Sequence, residues 1–293
     1  MAYLLHEPGQ RMVAFFEDVH QIRGEVAGTV GPGSPAVRER GELDDSLHGW
    51  IEDLSVGGCG LRLTVAEEYL RTVGHLLSDT ESVYSIYPLI RSVVDLASRV
   101  VWLMEPDLNG RKRAGRILGD RADSLQEQER LVGVPPQVAE YARERRRSLS
   151  RTATAAGVHR EGPPGQMQAA QRAWRLGPGD DSRIGWTTYQ VLSAFAHGTL
   201  YAIAQAVEPI EGPDGDRLRV PGTEDVMWAQ IGATASNEAT VVLMGLMPYR
   251  IALQRWCEWS GHALPTLDER LAEVARPFHE LITRVPGEDI EPM

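Results

Sequence analysis

Lysine is all but missing: Lys112 is the only one, and every other basic residue is arginine. That bias is the mark of GC-rich coding and carries no function. Cysteine is almost as scarce. Cys59 and Cys257 stand far apart with no CxxC pair, which excludes a disulfide framework and a thiolate metal site and predicts a reducing, cytoplasmic setting. The opening "MAYLLHEPGQRMVAFFEDVH" lacks the basic segment, apolar run and small-residue cleavage site of a secretory signal. No long apolar run exists either, because the most hydrophobic stretches carry Arg91, Asp95 and Arg99, or Glu238, so no membrane span is predicted. Positive charge is in deficit: net charge is −11 and the isoelectric point near 5.3. A general nucleic-acid binder needs the opposite balance to displace phosphate counterions.

Familiar chemical motifs are missing too. There is no GxxxxGK[ST] loop and no GxSxG elbow. Asp44–Asp45 and Asp180–Asp181 fall in expected loops, not in a helix-borne DDxxD. Glu17 and His20 form a single ExxH spacing, whereas helical di-iron sites need two plus further carboxylates, so no metal is expected. The basic run "ARERRRSLSR" at 142–151 is interrupted by Glu144 and has no interleaved aromatics, which reads as a solvated helix face.

What is present is helical periodicity. It predicts an all-α, bundle-like single domain over 1–293 with its core in 64–284. About eight helices are expected, at roughly 7–27, 64–78, 82–105, 109–132, 136–157, 184–207, 223–247 and 266–284. Long loops are expected near 28–46, 158–183 and 208–222, the first two mobile and the third a small hairpin; 158–183 has room for one helical turn and for closing over a site. The stretch "VGGCGLRLT" at 56–64 is the one other strand-like segment.

Three of these helices are mostly apolar yet carry a narrow polar face. On 82–105, Arg91, Asp95, Arg99 and Trp102 fall within about 120° of arc, with the two guanidinium groups suited to a carboxylate, sulfate or phosphate. On 184–207, Tyr189, Ser193, His197 and Tyr201 follow at four-residue steps that rotate by about 40° each. On 223–247, Gln230, Thr234, Asn237 and Glu238 share a face, and a mid-helix carboxylate there must be paired, exposed or raised in pKa. Buried polar faces usually meet one another. The expectation is one interhelical polar centre: Arg91 and Arg99 as anchors, Trp102, Tyr189, Ser193, Tyr201 and Asn237 lining it, and His197, Glu238 or Asp95 as acid–base groups.

With "LIRSVVDLASRVVWLMEPD", "RKRAGRILGDRADSLQEQERL" and "YQVLSAFAHGTLYA", residues 80–250 resemble a group of actinobacterial all-helical proteins, some of them loosely HEPN-like. The resemblance implies a helical fold and carries no activity over. HEPN ribonucleases pair an Arg with a His a few residues later, and the nearest fit here is Arg255 to His262 in "RWCEWSGH", without the usual polar residue after the Arg. The leading expectation is therefore a cofactor-independent enzyme acting on a small anionic metabolite by transfer, elimination or cyclisation, in specialised metabolism. A defence or toxin protein acting on RNA, or a non-catalytic subunit of a helical complex, are the alternatives. A homo-oligomer or a partner subunit fits each.

Overall fold

The computed structural model describes residues 2–26, 29–43, 47–50, 58–79, 85–133, 135–177, 182–197, 207–209, 229–231, 235–262 and 266–283. Within them the protein is all-helical, with one ribbon of two three-residue strands. In chain order the helices are α1 (Ala2–Val26), α2 (Pro35–Gly41), α3 (Leu61–Asp79), α4 (Ile86–Leu103), α5 (Gly110–Arg130), α6 (Pro136–Ala155), α7 (Gln166–Arg175), α8 (Ser182–Ala196), α9 (Ala235–Ser260) and α10 (Leu267–Thr283). Two more than the eight expected arise because α2 and α7 form inside stretches expected to be loops. Ser34 starts α2 by accepting the Val37 N–H with its hydroxyl oxygen, with Pro35 in the first turn where no N–H is needed. No described helix is long and apolar enough to cross a membrane.

Helix α4 is central. Ile86, Ile90, Val93, Val94, Ala97, Val100 and Val101 are all fully buried. It packs against α3 and α9 on one side and against α7 and α8 on the other. The α9 contact is close because Gly245 lies beneath Ile90: a Cβ there would sit 2.9 Å from Ile90 Cδ1. Three buried arginines clamp the bundle. Arg23 of α1 donates to both carboxylate oxygens of Glu67 and to the Gly60 carbonyl and Thr64 hydroxyl, while Tyr249 of α9 donates to the same Glu67 at 2.9 Å. Arg113 binds Glu39 of α2 and the Leu103 and Glu105 carbonyls. Arg116 binds Glu105, Glu161 and the Trp102 carbonyl. The basic start of α5 is thus the C-cap of α4, two cations on carbonyls that a helix end leaves unpaired.

The sequence expectations need several corrections. Of the stretch 56–64, the described residues 58–64 are helical and not a strand: 58–60 form a wide helical turn leading into α3, where side chains of Arg62, Thr64 and Arg23 take the Gly58 and Gly60 carbonyls. The helix expected at 223–247 runs instead from Ala235 to Ser260, straight through Pro248. Burial of Gly245, Leu246, Tyr249, Ile251 and Ala252 around that proline outweighs the hydrogen bond it removes. Gln230 lies in β2 (Ala229–Ile231), paired with Glu208 of β1 (Val207–Pro209), so it shares no helical face with Glu238. Helix 184–207 ends at Ala196. The hairpin expected at 208–222 overlaps β1, but its partner strand is 229–231, and 210–228 fall outside the described residues.

In 158–183, residues 158–177 are docked on the bundle. Glu161 donates its N–H to the Gly115 carbonyl at 3.1 Å, and Ala169, Ala170 and Ala173 of α7 are buried. Gly115 and Gly119 make this possible: a Cβ on either would lie 2.1 or 2.0 Å from the carbonyl oxygens of His159 and Glu161.

Candidate functional site

The polar stripe of α4 faces α8 at Arg91 and turns toward Asp120 of α5 at Arg99. Arg91 donates to the Tyr189 hydroxyl at 3.1 Å, with its guanidinium carbon 5.6 Å from the ring centre, and Tyr189 donates in turn to Gln166 of α7. Tyr87 and Phe195 stack one turn away, centroids 4.0 Å apart. The pairs Arg91–Tyr189 and Tyr87–Phe195 make α4 and α8 antiparallel. Gly185, one turn before Tyr189, therefore lies near the level of Asp95, and the Trp174 ring of α7 rests against it: a Cβ there would be 2.8 Å from the indole.

Along this seam the polar groups are underserved. Arg91 Nε, Asp95 Oδ1, Ser98 Oγ, Arg99 Nη1 and Trp102 Nε1 on α4, Trp174 Nε1 on α7 and Thr188 Oγ1 on α8 are buried without a hydrogen-bond partner. Among the described residues only Arg146 Nε shares that condition elsewhere. Ser98 and Thr188 are 1% exposed and Trp102 is 0% exposed. An unmet buried polar group costs roughly 1–3 kcal/mol, so seven along α4 and the two helices beside it mark a region the fold itself leaves short of partners. Six of the seven can donate, and only the Asp95 oxygen must accept. Such a set complements a ligand rich in acceptors.

The electrostatics agree. Burial pushes the Asp95 carboxyl up to about 6, against the pull of Arg91 and Arg99 on either side. Burial lowers the Arg99 guanidinium from its usual value, opposed by Asp120. Arg99 reaches Asp120 only at 3.7 Å, while Asp120 is already bonded by Arg62 at 2.8 Å. The guanidinium carbons of Arg99 and Arg116 sit 5.9 and 5.2 Å from the Trp102 ring, so its indole is held among cations.

The other expected residues lie elsewhere. Trp259 packs beside Arg113 at the C-terminal end of α4 and Gly245 beside Ile90, so α9 runs parallel to α4. Glu238, seven residues before Gly245, is then about 10 Å behind Ile90, and Asp95 about 7 Å beyond it. Glu238 is buried, 4% exposed, and burial pushes its carboxyl up to about 7, yet it does not meet the Arg91–Asp95 pair. His197 is exposed just past the end of α8, near that same end of α4, and Asn237 is exposed beside Glu238. Ser193 is half-buried on α8, and Tyr201 lies outside the described residues. The one polar centre expected from three helices is thus two separated places, and α4 with α7 and α8 forms the richer one. Gln166, Trp174 and Thr188 were not anticipated, and Ser98 was expected on the polar face of α4 but not as a site residue. A serine one helical turn from Asp95 and a threonine next to Tyr189 were the only signals.

The residues of the other motifs have partners within the fold. His20 faces Glu67 at 3.5 Å and Glu17 faces Arg71, and no described group of three His, Cys, Asp or Glu is placed to hold a metal. A cleft of about 310 Å³ between α9 and α10 includes Cys257 and His262. Burial pushes the Cys257 thiol up to about 12, which disfavours the thiolate near neutral pH. Arg255 is paired with Glu258 at 2.8 Å, and His262 Nε2 bonds the Thr29 carbonyl at 2.9 Å.

No protein family, curated protein or solved structure matches this chain.

Proposed function

We propose that the protein binds a small anionic metabolite in the seam between α4, α7 and α8 and acts on it without a cofactor. One observation carries the reading: the partnerless buried polar atoms gather on one helix stripe and its two facing helices, and nearly all are donors. Arg91 and Arg99 hold the carboxylate, sulfate or phosphate oxygens, since a guanidinium fork matches an oxyanion. The Ser98 and Thr188 hydroxyls and the indole N–H groups of Trp102 and Trp174 complete the donor set. Asp95 is the acid–base group. A carboxyl raised to about 6 changes protonation close to neutral pH, where general acid–base chemistry is most effective. The reaction class that needs only these groups is proton transfer coupled to elimination, cyclisation or group transfer.

The test is a ligand screen read by thermal shift, with carboxylates, sulfate esters and phosphate esters as probes. At least one class stabilises the wild type, and Arg91→Met and Arg99→Met each abolish the shift. Asp95→Asn keeps binding and loses turnover of the ligand found. If no acidic probe shifts the wild type, or the shift survives both arginine substitutions, the reading is wrong. Arg255→Ala and His262→Ala leave the shift unchanged; loss of an RNA-cleaving activity in those two variants would favour the ribonuclease reading instead.

A further inference from the structure

A second cavity, of about 400 Å³, lies on another part of the surface, between α5, α6 and the helical segment 47–50. Trp50 and Tyr141 bring two aromatic rings to it, Arg121 and Arg145 two guanidinium groups, and Ser124 and Gln128 a hydroxyl and an amide. No carboxylate lines it among the described residues.

The pairing pattern of α6 sharpens the point. Arg143 and Arg146 both bind Glu129, at 3.0 and 2.9 Å, and Arg147 and Arg151 both face Glu144, at 3.8 and 2.9 Å. Arg145, in the middle of the same run, forms no ion pair with any described residue and lines the cavity instead. Every other arginine of the run thus has a carboxylate partner, and Arg145 is the one turned to the groove without one among the described residues. The volume is within the range of roughly 300–1,000 Å³ typical of small-molecule sites. Aromatic faces take a flat ring, a guanidinium takes an oxyanion, and the amide of Gln128 can pair with ring heteroatoms.

We propose that this groove is a binding site for a small aromatic anion, a flat ring joined to a phosphate or carboxylate, of which a nucleoside monophosphate is the simplest biological form. It is independent of the α4 seam. The test is calorimetric titration of the full-length protein with adenosine monophosphate, phenyl phosphate and indole-3-acetate, and with inorganic phosphate and adenosine as half-ligands. At least one aromatic anion binds saturably with Kd below about 1 mM, and both half-ligands bind at least about tenfold more weakly. Arg145→Gln and Trp50→Leu each weaken binding about tenfold or more. Tyr141→Phe, which keeps the ring, leaves it intact. Arg91→Met in the seam leaves it unchanged as well. Arg145 is exposed and outside every ion pair described, so its substitution has no reason to unfold the protein, and a thermal melt checks this. The proposal fails if none of the three anions binds, if phosphate alone binds as well, or if Arg145→Gln has no effect. Tighter binding of a short single-stranded RNA would reassign the groove to nucleic acid and equally overturn it.

Discussion

Replacing Asp95 by asparagine stabilises this protein at neutral pH, against the usual outcome for removing a carboxylate between two arginines. Burial raises the Asp95 carboxyl from its usual 3.8 to about 6, even with Arg91 and Arg99 pulling the other way. A carboxyl whose folded pKa lies above its unfolded value adds stability only while it is protonated. That contribution is full below pH 3.8, is lost as pH rises through about 6, and above that the ionised group is a net burden. At about 1.4 kcal/mol for every tenfold change in proton affinity, the burden has an upper bound of about 3 kcal/mol. Asp95 is only half-buried, and solvent screening cuts this to about 1–2 kcal/mol. The assay is urea denaturation of wild type and Asp95→Asn at closely spaced pH values from about 4 to about 8. The variant gains through the window from 4 to 6 and holds a constant advantage above it. Loss of stability at pH 7.5 would show that the carboxylate is held by its arginine neighbours, and the seam would then be a structural ion cluster. A variant that is more stable and catalytically dead would be the signature of a charge kept for chemistry.

Three further outcomes follow from groups outside the seam. Glu238→Gln raises the melting temperature at pH 8 and not at pH 5, because burial holds that carboxyl near 7 instead of its usual 4.5; a pH-independent change would contradict this. Arg113→Met strands Glu39 and two carbonyls at the end of α4 and lowers stability by about 3–5 kcal/mol in guanidinium unfolding, with part recovered on adding Glu39→Gln. A loss under about 1 kcal/mol would show that the clamp contributes little to holding the bundle. Gly119→Ala, a change that gains about 1 kcal/mol in an ordinary helix, here loses about 2 kcal/mol or more and exposes 158–165 to proteolysis, since the new methyl would lie 2.0 Å from the Glu161 carbonyl oxygen. Unchanged protease resistance would show the segment docks by other means.

Helix α4 and its polar stripe were legible in the sequence because 3.6-residue periodicity is local. What the stripe faces was not. Trp174 and Gln166 come from a stretch whose Gly and Pro content reads as a loop, and α7 forms there because Ala169, Ala170 and Ala173 are buried against the bundle. Glu238 looked like part of the same centre because Gln230 and Thr234 seemed to extend its face. Gln230 lies instead in β2, Thr234 falls outside the described residues, and α9 as described runs from Ala235 through Pro248, held by tertiary burial and not by local propensity. Nothing in the sequence of α5 marks Arg113 and Arg116 as buried caps. Which end of which helix needs a cation is a property of the packed bundle.

The contrast between the buried arginines and the half-buried Arg91 and Arg99 bears most directly on the proposed function. Arg23, Arg113 and Arg116 show that this chain surrounds a buried guanidinium with carboxylates and carbonyls wherever the role is structural. Arg91 has a tyrosine hydroxyl, and Arg99 has a carboxylate at 3.7 Å that is already bonded to Arg62. The two belong to the same helix, one on each side of a carboxyl lifted toward neutral pH, and the donors around them are likewise unmet. That this fold pairs its structural arginines fully and leaves these two, on one stripe of α4, with weaker partners is the contrast on which the proposed anion site rests.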